Sequence, residues 1–397
     1  MYKKNFGNRN FTRGKKRPFF SHKKNYGQPI LDFSKFINHN AVTAKKNDFV
    51  PENTFQDLMV IQTLKNNIAK KGYSTLTPIQ DKAIPVLLKG SDVVGIANTG
   101  TGKTGAFLIP LINKVALSKN RENVLIIAPT RELAIQIDEE FKSFAKGLNI
   151  FSVCCVGGAS IGQQIKSLRY YNNFIIGTPG RIKDLIERKH IRLSRFGNLV
   201  LDEADRMLDM GFIDDMRFIV SQLAKTRQTL LFSATISKEV EEIINQFTNN
   251  PIRICVKTPG AVESVYQDIV KIKRGESKVE ILHDLLIKPE FNKVLIFGRT
   301  KMGVEKLLTS LSKRGFKAES IHGDKNQSKR QRALNSFRQG RSRILIATDV
   351  AARGLDISDV SHVINFDLPG SYNDYIHRIG RTGRAGKSGC ALTFVES

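Results

Sequence analysis

From residue 93 onward the chain alternates short apolar runs with longer amphipathic stretches. VVGIA (93–97), VLIIA (124–128), FSVCCV (151–156), FIIGT (174–178), NLVLD (198–202) and TLLFS (229–233) are too short and too uniformly apolar for surface helices. They predict strands buried on both faces. Between them lie helical patterns such as RELAIQIDEEFKSFAK (131–146). Strands separated by helices predict βαβ units on a parallel sheet. Upstream, Leu58, Ile61, Leu64 and Ile68 share one helical face, and Gly72 follows as a stop.

The rhythm breaks at VKTPGAVES (256–264), around Pro259-Gly260, and then resumes. VLIF (294–297), KAESIH (317–322), RILIAT (343–348), HVINF (362–366) and CALTFV (390–395) predict a second set of strands. The expected fold class is α/β, with two mainly parallel-sheet domains. Residues 48–255 form the first, 256–264 a linker and 265–397 the second.

Residues 1–47 follow neither rhythm. They hold twelve Lys and Arg against one acid, Asp32, with Phe and Tyr interleaved. So few aliphatic residues cannot build a core, and a disordered basic arm is expected. ILDFSKFI (30–37) is more apolar and suits one or two helical turns, docked or free.

Charge narrows the partner class. The net charge is +26, of which the arm supplies +11 and the other 350 residues +15. Such a potential favours a polyanion, in the first place nucleic acid. The four cysteines, Cys154, Cys155, Cys255 and Cys390, form no C-x-x-C pair. They read as small buried hydrophobes in a reducing cytoplasm. No apolar run reaches the ~18 residues of a membrane span, and none follows the basic N-terminus as in a signal peptide.

The candidate chemistry starts at ANTGTGKT (97–104), which joins a predicted strand to a predicted helix. Backbone N–H groups there can cradle phosphate, with Gly100 and Gly102 allowing close approach. Lys103 supplies a point charge for the β- and γ-phosphates of a nucleotide, and Thr104 a hydroxyl for Mg²⁺. Ala97 stands where the strict G-x-x-x-x-G-K-[ST] pattern has glycine, which is tolerable if its φ is negative. NLVLDEAD (198–205) adds acids at another strand end: Asp202 to hold Mg²⁺ and Glu203 to orient or activate water.

With these residues in place the chain resembles a DEAD-box RNA helicase over roughly residues 55–397. Phe55 precedes GYSTLTPIQ (72–80), similar to a Q motif. ANTGTGKT, PTRELA (129–134), GG (157–158), TPGR (178–181), DEAD (202–205) and SAT (233–235) follow. VLIFGRT (294–300), HGDKNQSKR (322–330), ATDVAARGLD (347–356) and HRIGRTGR (377–384) complete the set. Single tetrapeptides are weak signals, but their shared order and spacing are specific. Two positions depart from the pattern: Leu76 where proline is usual, and Asn373 where an acid is frequent.

The resemblance implies two RecA-like domains and an ATP site split between them. Phe55 would stack on adenine and Gln80 would read its edge. Thr99 to Thr104 would bind the phosphates, and Asp356 the ribose. Arg381 and Arg384 would be arginine fingers. Thr130, Arg131, Gly158, Thr178 and Arg181, with Arg299, Thr300 and Thr348, would hold RNA. These are residue types for phosphate and sugar, so little sequence preference is expected. Asp205, Ser233 and Thr235 would couple the two sites, and His377 would bridge to the DEAD segment. The implied activity is ATP-dependent local separation of short RNA duplexes, by a monomeric core. An ATP-gated RNA clamp or scaffold is a second reading, and a translocating DNA helicase a third.

Overall fold

The computed structural model describes residues 33–39, 49–98, 100–118, 122–256, 265–352, 360–383 and 389–396. The first sheet has seven strands: β1 (Val93–Ile96), β2 (Val124–Ile127), β3 (Ser152–Cys155), β4 (Phe174–Gly177), β5 (Asn198–Leu201), β6 (Gln228–Ser233) and β7 (Ile252–Cys255). Their order is β3-β4-β2-β5-β6-β1-β7, all parallel. The second has six: β8 (Val265–Ile272), β9 (Val294–Phe297), β10 (Ala318–Ile321), β11 (Ile344–Ala347), β12 (His362–Asn365) and β13 (Gly389–Glu396), in the order β10-β11-β9-β12-β13-β8, again parallel. Two parallel α/β domains are thus present as the hydrophobic pattern predicts.

Burial explains the pattern. Every residue of β2, β4, β5, β9 and β11 is buried, because helices cover both faces of the central strands. One apolar cluster joins Ile79, Phe107, Ile109, Ile126 and Phe141 on one face of the first sheet. A second joins Leu125, Ile175, Leu199, Met207 and Ile243 on the other. Leu76 is 2% exposed and belongs to the first cluster, so leucine at the proline position serves packing.

Three expectations need correction. The helix expected across Leu58–Ile68 begins at Gln62, and Leu58 packs from the turn before it. β7 and β8 were not among the predicted strands. Both lie at sheet edges and are partly exposed, so neither shows a continuous apolar run. Cys255, expected inside, is exposed on β7. The other cysteines are buried or half-buried, and burial pushes the Cys155 thiol up to about 12 and Cys390 to about 11.

The apolar end of the arm takes the docked form of the two left open. Phe33–Phe36 forms a 3-10 turn and Asn38 bridges to Gln267 of β8, so residues 33–39 are seated on the second domain. The rest of the arm through Asp48, and most of the expected linker (257–264), lie outside the described residues. Among the described residues no helix is long and apolar enough to cross a membrane.

Parallel strands send all their C-terminal ends to one edge of the sheet, where ligands of open α/β sheets bind. That edge carries residues 97, 98 and 100–102 after β1, 128–131 after β2, 156–158 after β3, 178 after β4, 202–205 after β5 and 234–235 after β6.

Candidate ATP and RNA sites

The loop after β1 runs into the helix Lys103–Leu117 with Gly102 as its N-cap. Gly102 has φ +91°, and a Cβ there would sit 2.7 Å from Gln80 Nε2 and 2.8 Å from Thr77 Oγ1. Both the left-handed backbone and the crowding require glycine. Lys103 is 6% exposed, and its Nζ donates to the Ala97 carbonyl at 2.9 Å. The described non-glycine residues with positive φ are Asn149, Lys189, Glu203 and Asn250. Ala97 is not one of them, so the missing glycine costs the loop nothing. Thr101 Oγ1 donates to the Asn98 carbonyl at 2.8 Å, and Gly100 has φ +81°. Thr99 lies outside the described residues.

Two side chains of the Q-motif segment are buried beside the phosphate loop and the first-domain core. Gln80 is fully buried: its Nε2 donates to the Gly102 carbonyl at 3.0 Å, and its Oε1 accepts the Thr77 N–H at 3.0 Å. A buried amide must pair its polar atoms, and here one partner is in its own segment and one in the phosphate loop. Here Gln80 ties the Q motif to that loop. Phe55 is 6% exposed and meets Tyr73 edge-on at 6.0 Å between ring centres. Its ring belongs to the first-domain core.

The acids gather after β5. Asp202 is 2% exposed, and its carboxylate accepts the Glu203 N–H at 3.0 Å. Burial pushes its pKa up to about 6; Glu203 and Asp205 add to the rise, while Lys103 opposes it. A divalent cation would relieve this disfavoured charge, so the site fits one. No group of three or more His, Cys, Asp or Glu able to hold a metal occurs among the described residues. One or two carboxylates suit Mg²⁺, which completes its shell with water and phosphate.

Glu203 occupies left-handed backbone, φ 53° and ψ 53°, which strains a residue with a side chain. Its neighbours hold it there. Arg206, itself 2% exposed, donates from NH1 to Glu203 Oε2 at 3.0 Å. Arg206 NH2 lies 3.3 Å from His377 Nδ1. His377 thus meets Arg206, the residue that follows the DEAD tetrapeptide and was not singled out from the sequence.

Asp205 joins two strand ends. Its Oδ2 accepts from the backbone N–H of Ala234 (3.1 Å) and Thr235 (2.9 Å) and from Thr235 Oγ1 (2.9 Å). Ser233 Oγ donates to the Thr235 carbonyl at 2.7 Å. One carboxylate therefore fixes the end of β6 to the turn after β5.

In the second domain the helix Tyr372–Ile379 carries His377, and Arg381 follows it. Arg381 is 3% exposed, with Nε donating to the His377 carbonyl at 3.3 Å. Asp356 and Arg384 lie outside the described residues. Arg378, not singled out from the sequence, is 2% exposed and grips both carboxylate oxygens of Asp349 at 2.6 and 2.7 Å. It also donates to Asn365 Oδ1 (3.1 Å) and the Asp367 carbonyl (2.7 Å). This bidentate pair locks the short helix Asp349–Ala352 to the helix Tyr372–Ile379.

The expected RNA residues of the first domain converge. Thr130, Arg131, Thr178 and Arg181 line a cavity of about 450 Å³ with Gly157, Gly323 and Arg330. Gly158 has φ +74°, and a Cβ there would overlap the Arg131 guanidinium. Burial lowers the Arg131 pKa, and the charges of Arg330 and Arg181 lower it further. Converging guanidinium groups that repel one another favour an anion between them. Glu132 partly offsets this: its Oε1 lies 2.8 Å from Arg330 Nε and 3.3 Å from Gln327 Nε2, joining the two domains. The Arg330 contact is ionic, not an aligned hydrogen bond, since that Nε has no hydrogen-bond partner. Glu132, Gln327 and Arg330 were missed from the sequence because their pairing spans almost 200 positions. Arg299, Thr300 and Thr348 do not line this cavity. Arg299 is exposed, Thr300 Oγ1 caps the helix Lys301–Lys313, and Thr348 is buried after β11.

Known proteins agree with this arrangement. A DEAD/DEAH box helicase family model matches residues 77–243, and a helicase conserved C-terminal domain matches 277–386. The chain is 45% identical over 344 residues to ATP-dependent RNA helicase CshA of Listeria monocytogenes, covering 86% of this chain and 66% of that one. It is 46% identical over 343 residues to DEAD-box ATP-dependent RNA helicase CshA of Geobacillus kaustophilus, covering 86% and 73%. The chain therefore spans about two thirds of the length of these curated relatives. Among solved structures, Saccharomyces cerevisiae Dbp5 bound to RNA and ADP BeF3 superposes with TM-score 0.77 at 32% identity, over 87% of this chain and 90% of that one. Mss116p bound to single-stranded RNA and AMP-PNP gives 0.76 at 30%, over 90% and 77%. The two parallel-sheet domains are thus the RecA-like pair, and the chain belongs to the DEAD-box branch of the DEAD/DEAH box helicase family.

Proposed function

We propose that this protein is an RNA-stimulated ATP hydrolase that locally separates or remodels RNA duplexes. The observation that carries the reading is the link from Glu203 through Arg206 to His377, which joins the acid beside the phosphate loop to the arginine-bearing helix. The names of the CshA relatives and the RNA bound to Dbp5 and Mss116p support it. Lys103 and Thr104 would hold the phosphates, with Asp202 and Thr104 around Mg²⁺. The cation would supply charge neutralisation at the β- and γ-oxygens. Glu203 would orient the attacking water, and Arg381 and Arg384 would face the charge developing on the transferred phosphoryl group. Phe55 would stack on adenine, and Gln80 would read its edge with the amide N–H and lone pair not used by Gly102 and Thr77. Asp356 would contact the ribose.

RNA would lie across Thr130, Arg131, Gly158, Thr178 and Arg181 and continue to Arg299, Thr300 and Thr348. Contacts of these types go to phosphate and sugar, so sequence preference would be slight. The basic arm would add salt-sensitive affinity, with aromatic rings stacking on exposed bases. The protein would act in the cytoplasm, with a monomeric core.

Duplex length tests the reading. At ~1.4 kcal/mol per stacked pair, a duplex of about ten pairs holds ~14 kcal/mol and one of about thirty ~42. Bending one strand removes only a few pairs, which suffices for the short duplex alone. ATP should release a labelled strand from the short RNA duplex and leave the long one intact. Equal release from both, or release from an all-DNA duplex, would count against local separation.

A further inference from the structure

Residues 33–39 precede the first domain in the chain, yet they are seated on the second. Phe36 is fully buried, its ring centre 4.4 Å from Tyr375 and 6.5 Å from Tyr372 in a stacked arrangement. Two residues on, Asn38 pairs antiparallel with the edge of β8: its N–H donates to the Gln267 carbonyl at 2.8 Å, and the Gln267 N–H to the Asn38 carbonyl at 2.9 Å. His39 stacks on Tyr266 at 5.3 Å, with Nε2 3.3 Å from Asp268 Oδ1. Lys35 Nζ sits 5.9 Å above the Tyr372 ring. The segment thus uses an anchoring aromatic, a backbone bridge to an open sheet edge and a polar side-chain contact, the means by which extended peptides add to sheets.

What it anchors to matters. Tyr372 and Tyr375 belong to the helix that carries His377 and leads into Arg381. Tyr375 is fully buried, and its hydroxyl donates to Gln267 Oε1 at 2.9 Å. Gln267 is the residue that bridges to Asn38. Phe36, Gln267 and Tyr375 therefore form one contact set, with the chain's own N-terminal segment on one side and the arginine-bearing helix on the other.

We propose that residues 33–39 are a clip that docks in cis on β8 and the helix Tyr372–Ile379, and that the docked clip positions that helix, and with it Arg381, for ATP hydrolysis. The clip touches no nucleotide group, so it is a positioning element. The proposal rests on the hydrolase reading given above. It makes the arm's root part of the second domain's catalytic support, not a passive tail.

The test combines hydrogen exchange with steady-state kinetics on the full chain. In the wild type, exchange should be slow at Asn38 and across β8. Phe36→Ala should speed exchange in both. It should also lower the RNA-saturated kcat on the order of tenfold, inside the ~10²-fold that ångström-scale misplacement costs, with KM for ATP unchanged. Asn38→Pro, which removes the bridging N–H, should do the same more weakly, and Phe36→Leu should restore most of kcat. Fast exchange at Asn38 in the wild type would show that the clip does not dock. Freed exchange in Phe36→Ala with undiminished kcat would reduce the clip to a cover for a sheet edge. Either overturns the proposal. A wild type that hydrolyses no ATP would instead sink the hydrolase reading, while the exchange result would still report on docking.

Discussion

Arg381→Ala is expected to leave ATP binding intact and slow its hydrolysis by ~10³-fold or more, as for other lost arginine fingers. The first domain alone offers the phosphates one lysine and the N–H groups of a loop. Charge that develops as the γ-phosphoryl group departs needs a further cation, and the second domain supplies it. Arg381 is sheltered in this structure, with Nε on the His377 carbonyl, at the end of a helix whose partner residue His377 already meets Arg206. The helix is therefore in register with the DEAD segment. Arg378 is the instructive contrast. Its guanidinium is spent on Asp349, Asn365 and the Asp367 carbonyl. Replacing it would leave the half-buried Asp349 carboxylate and the buried Asn365 without their partner and damage the fold. Single-turnover hydrolysis at saturating RNA, beside fluorescent-nucleotide binding and a thermal melt, separates these cases. Arg381→Ala should melt near the wild type.

Glu203→Gln should retain ATP and RNA but lose ~10²–10⁴-fold in hydrolysis, the range for a missing general base. The amide keeps the volume of the carboxylate and can still accept from Arg206 NH1, so the buried pair becomes a neutral–ionic hydrogen bond and the strained turn at Glu203 should persist. What disappears is the negative charge that draws a proton from water. The variant should accumulate as a long-lived ATP–RNA complex, visible as slow RNA release in ATP and ordinary release in ADP. Turnover equal to the wild type would remove Glu203 from the chemistry.

Much of this was legible in the sequence because parallel α/β architecture writes itself in short apolar runs. Each central strand of both sheets falls on a predicted run, and the loops after them carry the motifs. Edge strands write more faintly: β7 and β8 expose part of their length, and their charged residues masked them. Charge itself misled where it was buried. Arg206 and Arg378 look like solvated helix positions, yet each is 2% exposed and paired. Helical periodicity cannot tell a surface charge from one facing another domain. Gln80 carries contacts its motif does not announce. Its motif suggests a base reader, and burial also obliges the amide to pair with Thr77 and Gly102. The seat of Phe36 could not be read at all, since Tyr372, Tyr375 and Gln267 lie more than 200 positions away.

The central claim is a composite site completed by RNA. The measurement that tests it most directly is ATP hydrolysis by the full chain with saturating MgATP, with and without single-stranded RNA, beside the same pair for Arg381→Ala. RNA should raise the wild-type rate steeply and leave the variant at its basal rate. Equal wild-type rates with and without RNA, or a variant that RNA stimulates as fully as the wild type, would contradict it.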